Sequence, residues 1–560
     1  MSPATAHSAP GRRLGGRFSR AGLVFAVIWY VMANTPSILP RPWWLQGLVA
    51  ALSGVCGYVV GLALGTCVKA VVSWLGLRVT VDPRRARLLM RIGAVILALL
   101  VVSFPGYTIA WQRSITTKVG LPAPGWWYPV GSTLVALVVF ALVILLWRGV
   151  AALTRFFLTR LPSRLVREAG ARLIASALTV LTVVLVVDWL VQPAVLAVIS
   201  GNAQRANEQM PEDYHAPTSS LRSGGPGSPE SWSSLGRDGA KFVSSGPDAA
   251  EIRRITGKPA KEPIRTFVGA GEPLPRTAAK AMAELDRTHA WDREAILVAV
   301  PTSTGYINLR SVAAFEFLTG GDSAIVSMAY SDLPSPLGLI AARDDPPEVG
   351  RLLLDAVRAH LSTMPAGHRP KVYFTGESLG AYGADGAFAS PDEMLAQTDG
   401  GLLSGAPMFS ANRRRLTRER APGSTSIDPV INGGTHIRFV GSVAQLHADE
   451  YDRPLGAWSA PRVVYLQHPS DPVAWWTASL LYTAPQWLRE TRQNTPMAQM
   501  TWIPLVTFWQ VTADMVVSTE MPGEIGHRYY APELVPAWAG VLGVDAGEHE
   551  RAIIAATDEY

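Results

Sequence analysis

Cysteine is almost missing from this chain. Cys56 and Cys67 are the only two in 560 residues, and both lie in one apolar stretch. No disulfide framework is expected, and the polar C-terminal part, with no thiol, has neither a cysteine nucleophile nor a Cys-based zinc site. There is no HExxH, no His pair at metal-ligand spacing and no Gly-rich phosphate loop with its Lys, so neither a metal nor another cofactor is expected. Charged residues make up only 17 % against 48 % hydrophobic ones. The net charge of +6 sits mostly between the N-terminal apolar segments and not in one patch, which argues against nucleic acid as a partner. Arg is used far more than Lys, and Ala, Gly, Val and Pro are frequent, as in chains from high-GC bacteria.

What is abundant is long apolar sequence, concentrated in the first 200 residues. Five stretches have the length and character of bilayer spans: residues 21–39, 45–68, 92–111, 127–147 and 173–199. Arg12, Arg13, Arg17 and Arg20 precede the first, and two further basic loops follow the second and fourth. The alternate loops hold only Arg41, Arg113 and Lys118. Positive charge stays on the cytoplasmic side, so the N-terminus is expected inside and everything after about Gly201 outside. The first span lacks a small-residue cleavage site and reads as an uncleaved anchor. Residues 156–166 read either as a surface-lying amphipathic helix or as a plain loop. Asp188, in the fifth span, is either an intramembrane functional carboxylate or a residue near the interface.

The expected organisation is a cytoplasmic basic tail (1–20), a transmembrane domain (21–200), a flexible linker (201–230), a catalytic domain (231–545) and a C-terminal tail (546–560). The linker assignment rests on its Ser, Gly and Pro content. Beyond Pro263, strand-like runs at 264–268, 296–300, 324–329, 372–374, 401–405, 436–440 and 462–466 alternate with helical runs at 276–288, 309–318, 348–361 and one starting at Gly380. That alternation predicts a mostly parallel sheet covered by helices on both faces.

The strand at 372–374 drives into Gly376-Glu377-Ser378-Leu379-Gly380 and then a small-residue helix start. This is the layout of a nucleophile elbow, in which Gly376 and Gly380 let backbone approach backbone around a strained serine. With 50 Gly in the chain, chance supplies roughly 0.3 matches to G-x-S-x-G, so the surrounding strand and helix must carry the assignment. A serine nucleophile needs a base and a group to orient that base. Asp471 follows the strand at 462–466 in a turn between two prolines, and His527 lies in a Gly-freed loop before the last helical stretch. The rival acids are Asp514 and Glu520, and the rival base is His549. His436 and His468 read as structural, His447 as a surface-loop residue, and Glu377 is given no chemistry. The Leu379 N–H and the Thr302–Ser303 turn are the candidate oxyanion donors. Trp475 and Trp476, with Trp502 and Trp509, are candidates for an acyl pocket, although core packing is the commoner use of such rings. Residues 331–340 read as a lid or membrane-facing rim.

The segments SWSSLGRDGAKFV, VPTSTGYIN, FTGESLGAYG, HPSDPVAWW and GHRY resemble a bacterial, actinobacterial-type family of membrane-anchored α/β-hydrolases with an N-terminal multi-helix membrane domain. The resemblance covers nearly the whole chain and implies Ser378, Asp471 and His527 as a triad, with no substrate implied. The leading expectation is an extracytoplasmic serine hydrolase of the cell membrane acting on lipid or envelope acyl esters. The alternatives are an acyltransferase passing the same acyl group to a glycan or lipid hydroxyl, and a non-catalytic scaffold or transporter.

Overall fold

The computed structural model describes residues 18–77, 82–160, 168–191, 207, 209–210, 213–333, 338, 342–490 and 496–560. Its N-terminal part is helical: α1 (Arg20–Met32), α2 (Trp43–Trp74), α3 (Pro83–Val119), α4 (Tyr128–Arg160) and α5 (Glu168–Val186), the last continuing into a π-helical turn at Val187–Val191 that carries Asp188. Four of these helices are long and apolar enough to cross a membrane. The first is not: 13 residues rise only ~20 Å, short of a hydrocarbon core of ~30 Å. The helix stops at Met32, and the apolar run that continued the expected span to residue 39 is a Pro-containing loop. Ile38 and Leu39 are apolar because the C-terminal domain buries them, not lipid. α1 reaches α2 at backbone distance because Gly57 and Gly61 face it. A Cβ there would stand 2.6 Å from the Phe25 carbonyl oxygen and 2.5 Å from that of Ala21. Residues 161–166, the outer part of the expected amphipathic segment, lie outside the described residues; 156–160 simply end α4.

The C-terminal domain is built on seven strands in the order β1-β3-β2-β4-β5-β7-β6. They are β1 (Ile264–Val268), β2 (Ala295–Val300), β3 (Ser323–Met328), β4 (Lys371–Glu377), β5 (Gly400–Ser404), β6 (Ile437–Val440) and β7 (Arg462–Leu466), and every pairing is parallel. Each predicted strand is present. Alternation sends Ile296, Val298 and Val300 of β2 into one core and Ala295, Leu297 and Ala299 into the other. Helices Leu274–Arg287, Leu309–Leu318, Asp345–Thr363 and Leu379–Gly386 match the predicted helical runs, with ends shifted by a few residues.

Two boundary expectations change. Residues 213–230, expected within the flexible linker, are folded against the outer edge of β1. The Arg265 N–H donates to Leu221 O at 3.2 Å, and the Ser223 N–H to Arg265 O at 3.1 Å. The Ser223 hydroxyl bonds Glu284 and accepts from the Phe267 N–H. The polar composition that resembled a tether serves to satisfy an open sheet edge. Residues 546–560 are likewise not a solvated tail. Helix Glu550–Asp558 buries Ile553 and Ala556, Arg310 pairs with Asp558, and Tyr560 donates to Glu251.

The two parts of the chain share one core. Ile38, Leu39, Leu45 and Val49 pack with Trp475, Trp487, Val506 and Val511. At its centre Asp514 accepts from the Ser37 hydroxyl and from the N–H groups of Ile38 (3.0 Å) and Leu39 (3.4 Å). Arg41 stands 3.6 Å from its other oxygen, and both side chains are fully buried. Nearby, the Gln510 amide donates to Thr35 O and the Trp29 indole to Pro504 O.

Candidate active site

β4 delivers Ser378 into a sharp turn before helix Leu379–Gly386. Its backbone sits at φ 58°, ψ −120°, strained for a residue with a side chain. The flanking glycines permit this. A Cβ on Gly376 would fall 2.3 Å from Gly380 O, and one on Gly380 would fall 2.3 Å from Val300 O, the carbonyl at the end of β2. The turn is anchored by the Ser378 N–H donating to Ser404 O at 2.9 Å. Leu379, as the first helical residue, presents an N–H with no intrahelical acceptor.

β7 ends two strands away, beyond β5, and releases the loop that carries Asp471. Both oxygens of this buried carboxylate are occupied. Oδ1 caps helix Pro472–Trp475, accepting from the N–H groups of Val473 (2.8 Å) and Ala474 (3.3 Å). Oδ2 takes His527 Nδ1 at 2.7 Å and the Tyr529 hydroxyl at 2.7 Å. One oxygen of Asp471 thus caps the turn and the other faces a histidine. His527 is buried, and its Nε2 has no hydrogen-bond partner among the described residues. Gly405, just past β5, lies between these groups and the elbow. At φ 59° it leaves room where a Cβ would meet His527 Cε1 at 2.5 Å.

The loop of His527 is strapped to the loop of Asp471. The Gly526 N–H donates to Ser470 Oγ at 3.1 Å, while Gly526 O accepts from His468 Nδ1 at 2.9 Å. His468 Nε2 meets Glu533 at 2.7 Å, and its ring stacks on Tyr529. His468 is thus structural, as expected, but it braces the loop of His527. Burial opposes charging His468, and the Glu533 carboxylate outweighs that and holds its pKa above the ordinary value. For His527, burial pulls the pKa down, but the charge and hydrogen bond of Asp471, with the Glu377 charge, leave it raised. Glu377 itself is raised by burial, partly offset by His527 and by Asn308 Nδ2, which donates to it at 2.6 Å. Glu377, first given no chemistry, and His527 therefore stand in each other's electrostatic field.

The remaining candidates separate. The Thr302 N–H is committed to Tyr306 O at 3.0 Å, so it is not free for a substrate oxygen. Ser303 next to it holds a buried hydroxyl with no partner among the described residues. Trp475 is fully buried against Trp487 and under the Arg413 guanidinium, with its indole donating to Pro469 O, so it packs core and lines nothing open. Trp476 is half-buried and donates to Thr512 Oγ1 at 2.8 Å. The Trp502 indole donates to Leu480 O, and that of Trp509 is buried without a partner. Asp514 is spent on the interdomain contact, Glu520 is exposed, and His549 faces Glu548 at the surface. His436 is held by Ser459 O and Pro461 O, and His447 is exposed. Most of residues 331–340 lie outside the described residues. Among the described residues, no three His, Cys, Asp or Glu side chains gather as a metal-ligand set.

A serine on a strained strand-to-helix turn and a buried Asp–His pair at the same edge of a parallel sheet are the architecture of one fold family. Its model matches residues 264–552, more than half of the chain, and the model for its N-terminal region matches residues 35–247. The chain belongs to the alpha/beta-hydrolase family. Searches of curated proteins and of solved structures returned no match. Sequence reasoning missed Tyr529, Ser470, Glu533 and Asn308 within this hydrolase site. Asn308, Ser470 and Tyr529 lie inside the segments that carried the family resemblance, but nothing local to Asn308 or to Glu533, in the first turn of helix Ala531–Leu542, shows which distant side chain each will meet.

Proposed function

We propose that this alpha/beta-hydrolase is a membrane-anchored serine hydrolase cleaving acyl esters of lipids or of the cell envelope through an acyl-enzyme. The observation that carries the reading is the 2.7 Å contact between His527 Nδ1 and Asp471, with His527 Nε2 left without a hydrogen-bond partner among the described residues. Ser378 Oγ attacks the ester carbonyl as its proton passes to Nε2. The tetrahedral oxyanion is met by the Leu379 N–H and by the Ser303 hydroxyl, each such donor contributing roughly 2.7–4 kcal/mol in the transition state. Nε2 then protonates the departing alcohol, and water repeats the sequence in reverse to release the acid. A hydroxyl acceptor in place of water would make the same acyl-enzyme a transferase intermediate.

The topology of the proposal is cell membrane, N-terminus inside and catalytic domain outside. It is supported by which helix ends touch the catalytic domain. These are the C-terminal ends of α1 and α3, through Trp29 and Ser114, and the α1–α2 loop through Arg41. The Tyr128 hydroxyl at the start of α4 donates to Arg41 O. Arg20, Arg84, Arg85 and Arg160 lie at the opposite ends of the same helices.

Labelling of intact cells with a membrane-impermeant fluorophosphonate tests chemistry and orientation together. The native protein should label, and Ser378→Ala and His527→Ala should not. Absence of native labelling both in cells and in detergent would sink the proposal.

A further inference from the structure

Four half-buried rings run in contact away from the nucleophile. Tyr382 lies one turn along the helix that begins after Ser378, its N–H bonded to Ser378 O. Phe409 meets Tyr382 at 5.3 Å between centroids, Trp476 meets Phe409 at 6.4 Å, and Phe508 meets Trp476 at 5.7 Å. All four keep part of their surface accessible. Together the four rings form a contiguous, partly accessible aromatic surface beside the serine.

Where the row ends identifies its occupant. Phe508 belongs to helix Val506–Val517, which also carries Asp514. This helix packs on α2 and is held by the Arg41 contact, while Trp29 of α1 grips Pro504 just ahead of it. One end of the row is therefore at the serine and the other at the membrane-spanning part of the chain. The Trp476 N–H is already spent on Thr512, so that ring offers a ligand an apolar face and no donor.

We propose that this row is the acyl subsite: it binds the fatty chain of a membrane lipid ester, with the carbonyl at Ser378 and the chain directed toward the bilayer. The inference rests on the serine-hydrolase reading and adds the substrate class. The Arg343 guanidinium lies over Phe409, 5.6 Å from the ring centroid, and covers part of that ring, whereas Trp476 and Phe508 beyond it present apolar faces. A sugar would also stack on aromatic faces, but it would require polar partners along the whole row. Lipid reaching the site laterally from the membrane needs none.

The test uses the full-length protein in detergent with p-nitrophenyl acetate, octanoate and palmitate, and a small fluorophosphonate as a separate readout of Ser378. In the native protein kcat/KM should rise from acetate to the longer esters. Phe409→Ser and Phe508→Ser should each lower the palmitate-to-acetate ratio by about tenfold or more, since even single methylenes in an apolar pocket change discrimination by that factor. An unchanged ratio in both variants with labelling retained would overturn the subsite. So would a native protein that cleaves acetate best. A native protein that neither labels nor cleaves any ester would instead overturn the hydrolase reading beneath it.

Discussion

Tyr529 donates its hydroxyl to Asp471 Oδ2 at 2.7 Å, the same oxygen that holds the His527 imidazole. With the two N–H groups on Oδ1, the carboxylate is surrounded by donors in a buried site, and it has no freedom to turn. His527 is therefore held in one orientation by a partner that is itself immobilised.

Replacing Asp471 by Asn should keep the helix cap but present the wrong tautomer to the serine. Turnover should fall by roughly 10⁴, with folding retained. Tyr529→Phe should cost about 1.5–3 kcal/mol of stability, as expected for losing a hydrogen bond to a charged group, and reduce turnover far less. Equal turnover in Asp471→Asn and native protein would remove Asp471 from the mechanism.

The acid limb of kcat/KM should lie above pH ~6.5, the ordinary histidine value. The sign follows from the proposed role of His527 as base: that role needs the neutral ring, and Asp471 and Glu377 keep it protonated to higher pH. Glu377→Gln removes one of those charges, so the limb should move to lower pH while the plateau rate at high pH changes little. A pH profile that does not move would show that Glu377 is uncharged when the enzyme works.

Asp514→Ala leaves the Arg41 guanidinium buried without its counter-charge, and should destabilise the protein by about 3–5 kcal/mol. The double variant Arg41→Met with Asp514→Leu should recover most of that loss, because two apolar groups need no partner. Thermal unfolding in detergent distinguishes these results from a surface contact of little consequence, for which all the variants would melt together.

Gly380→Ala places a methyl 2.3 Å from a backbone oxygen of β2, and no side-chain rotation relieves it. A cost of about 1–3 kcal/mol or more and loss of fluorophosphonate labelling are expected. A variant that labels like the native protein would mean that the elbow tolerates a wider turn.

The local devices of this protein were legible one segment at a time. Seven strands and their helices showed in the spacing of apolar runs, because a strand buried on both faces writes a continuous apolar stretch into the chain. The Gly376-to-Gly380 elbow was readable because its steric demand falls on adjacent residues. What could not be read was anything set by which distant segments meet. Residues 33–39 look like the end of a membrane span, since burial against protein and burial in lipid select the same side chains. Residues 213–230 look like a tether, since polar groups that complete a sheet edge have the composition of polar groups in water. Asp514 was a rival acid until Arg41, hundreds of residues earlier, claimed it, and Glu377 became relevant only when folding brought His527 into its field. The sequence alone determined the strand-helix alternation, the apolar helices and the serine turn, because each depends on neighbours in the chain. Only the tertiary structure decided how Asp471 divides its two oxygens, which tryptophan is core and which stays half-buried, and how the apolar N-terminal helices join the C-terminal domain. Those outcomes depend on hydrogen bonds and ion pairs across long loops, whose geometry no local pattern encodes.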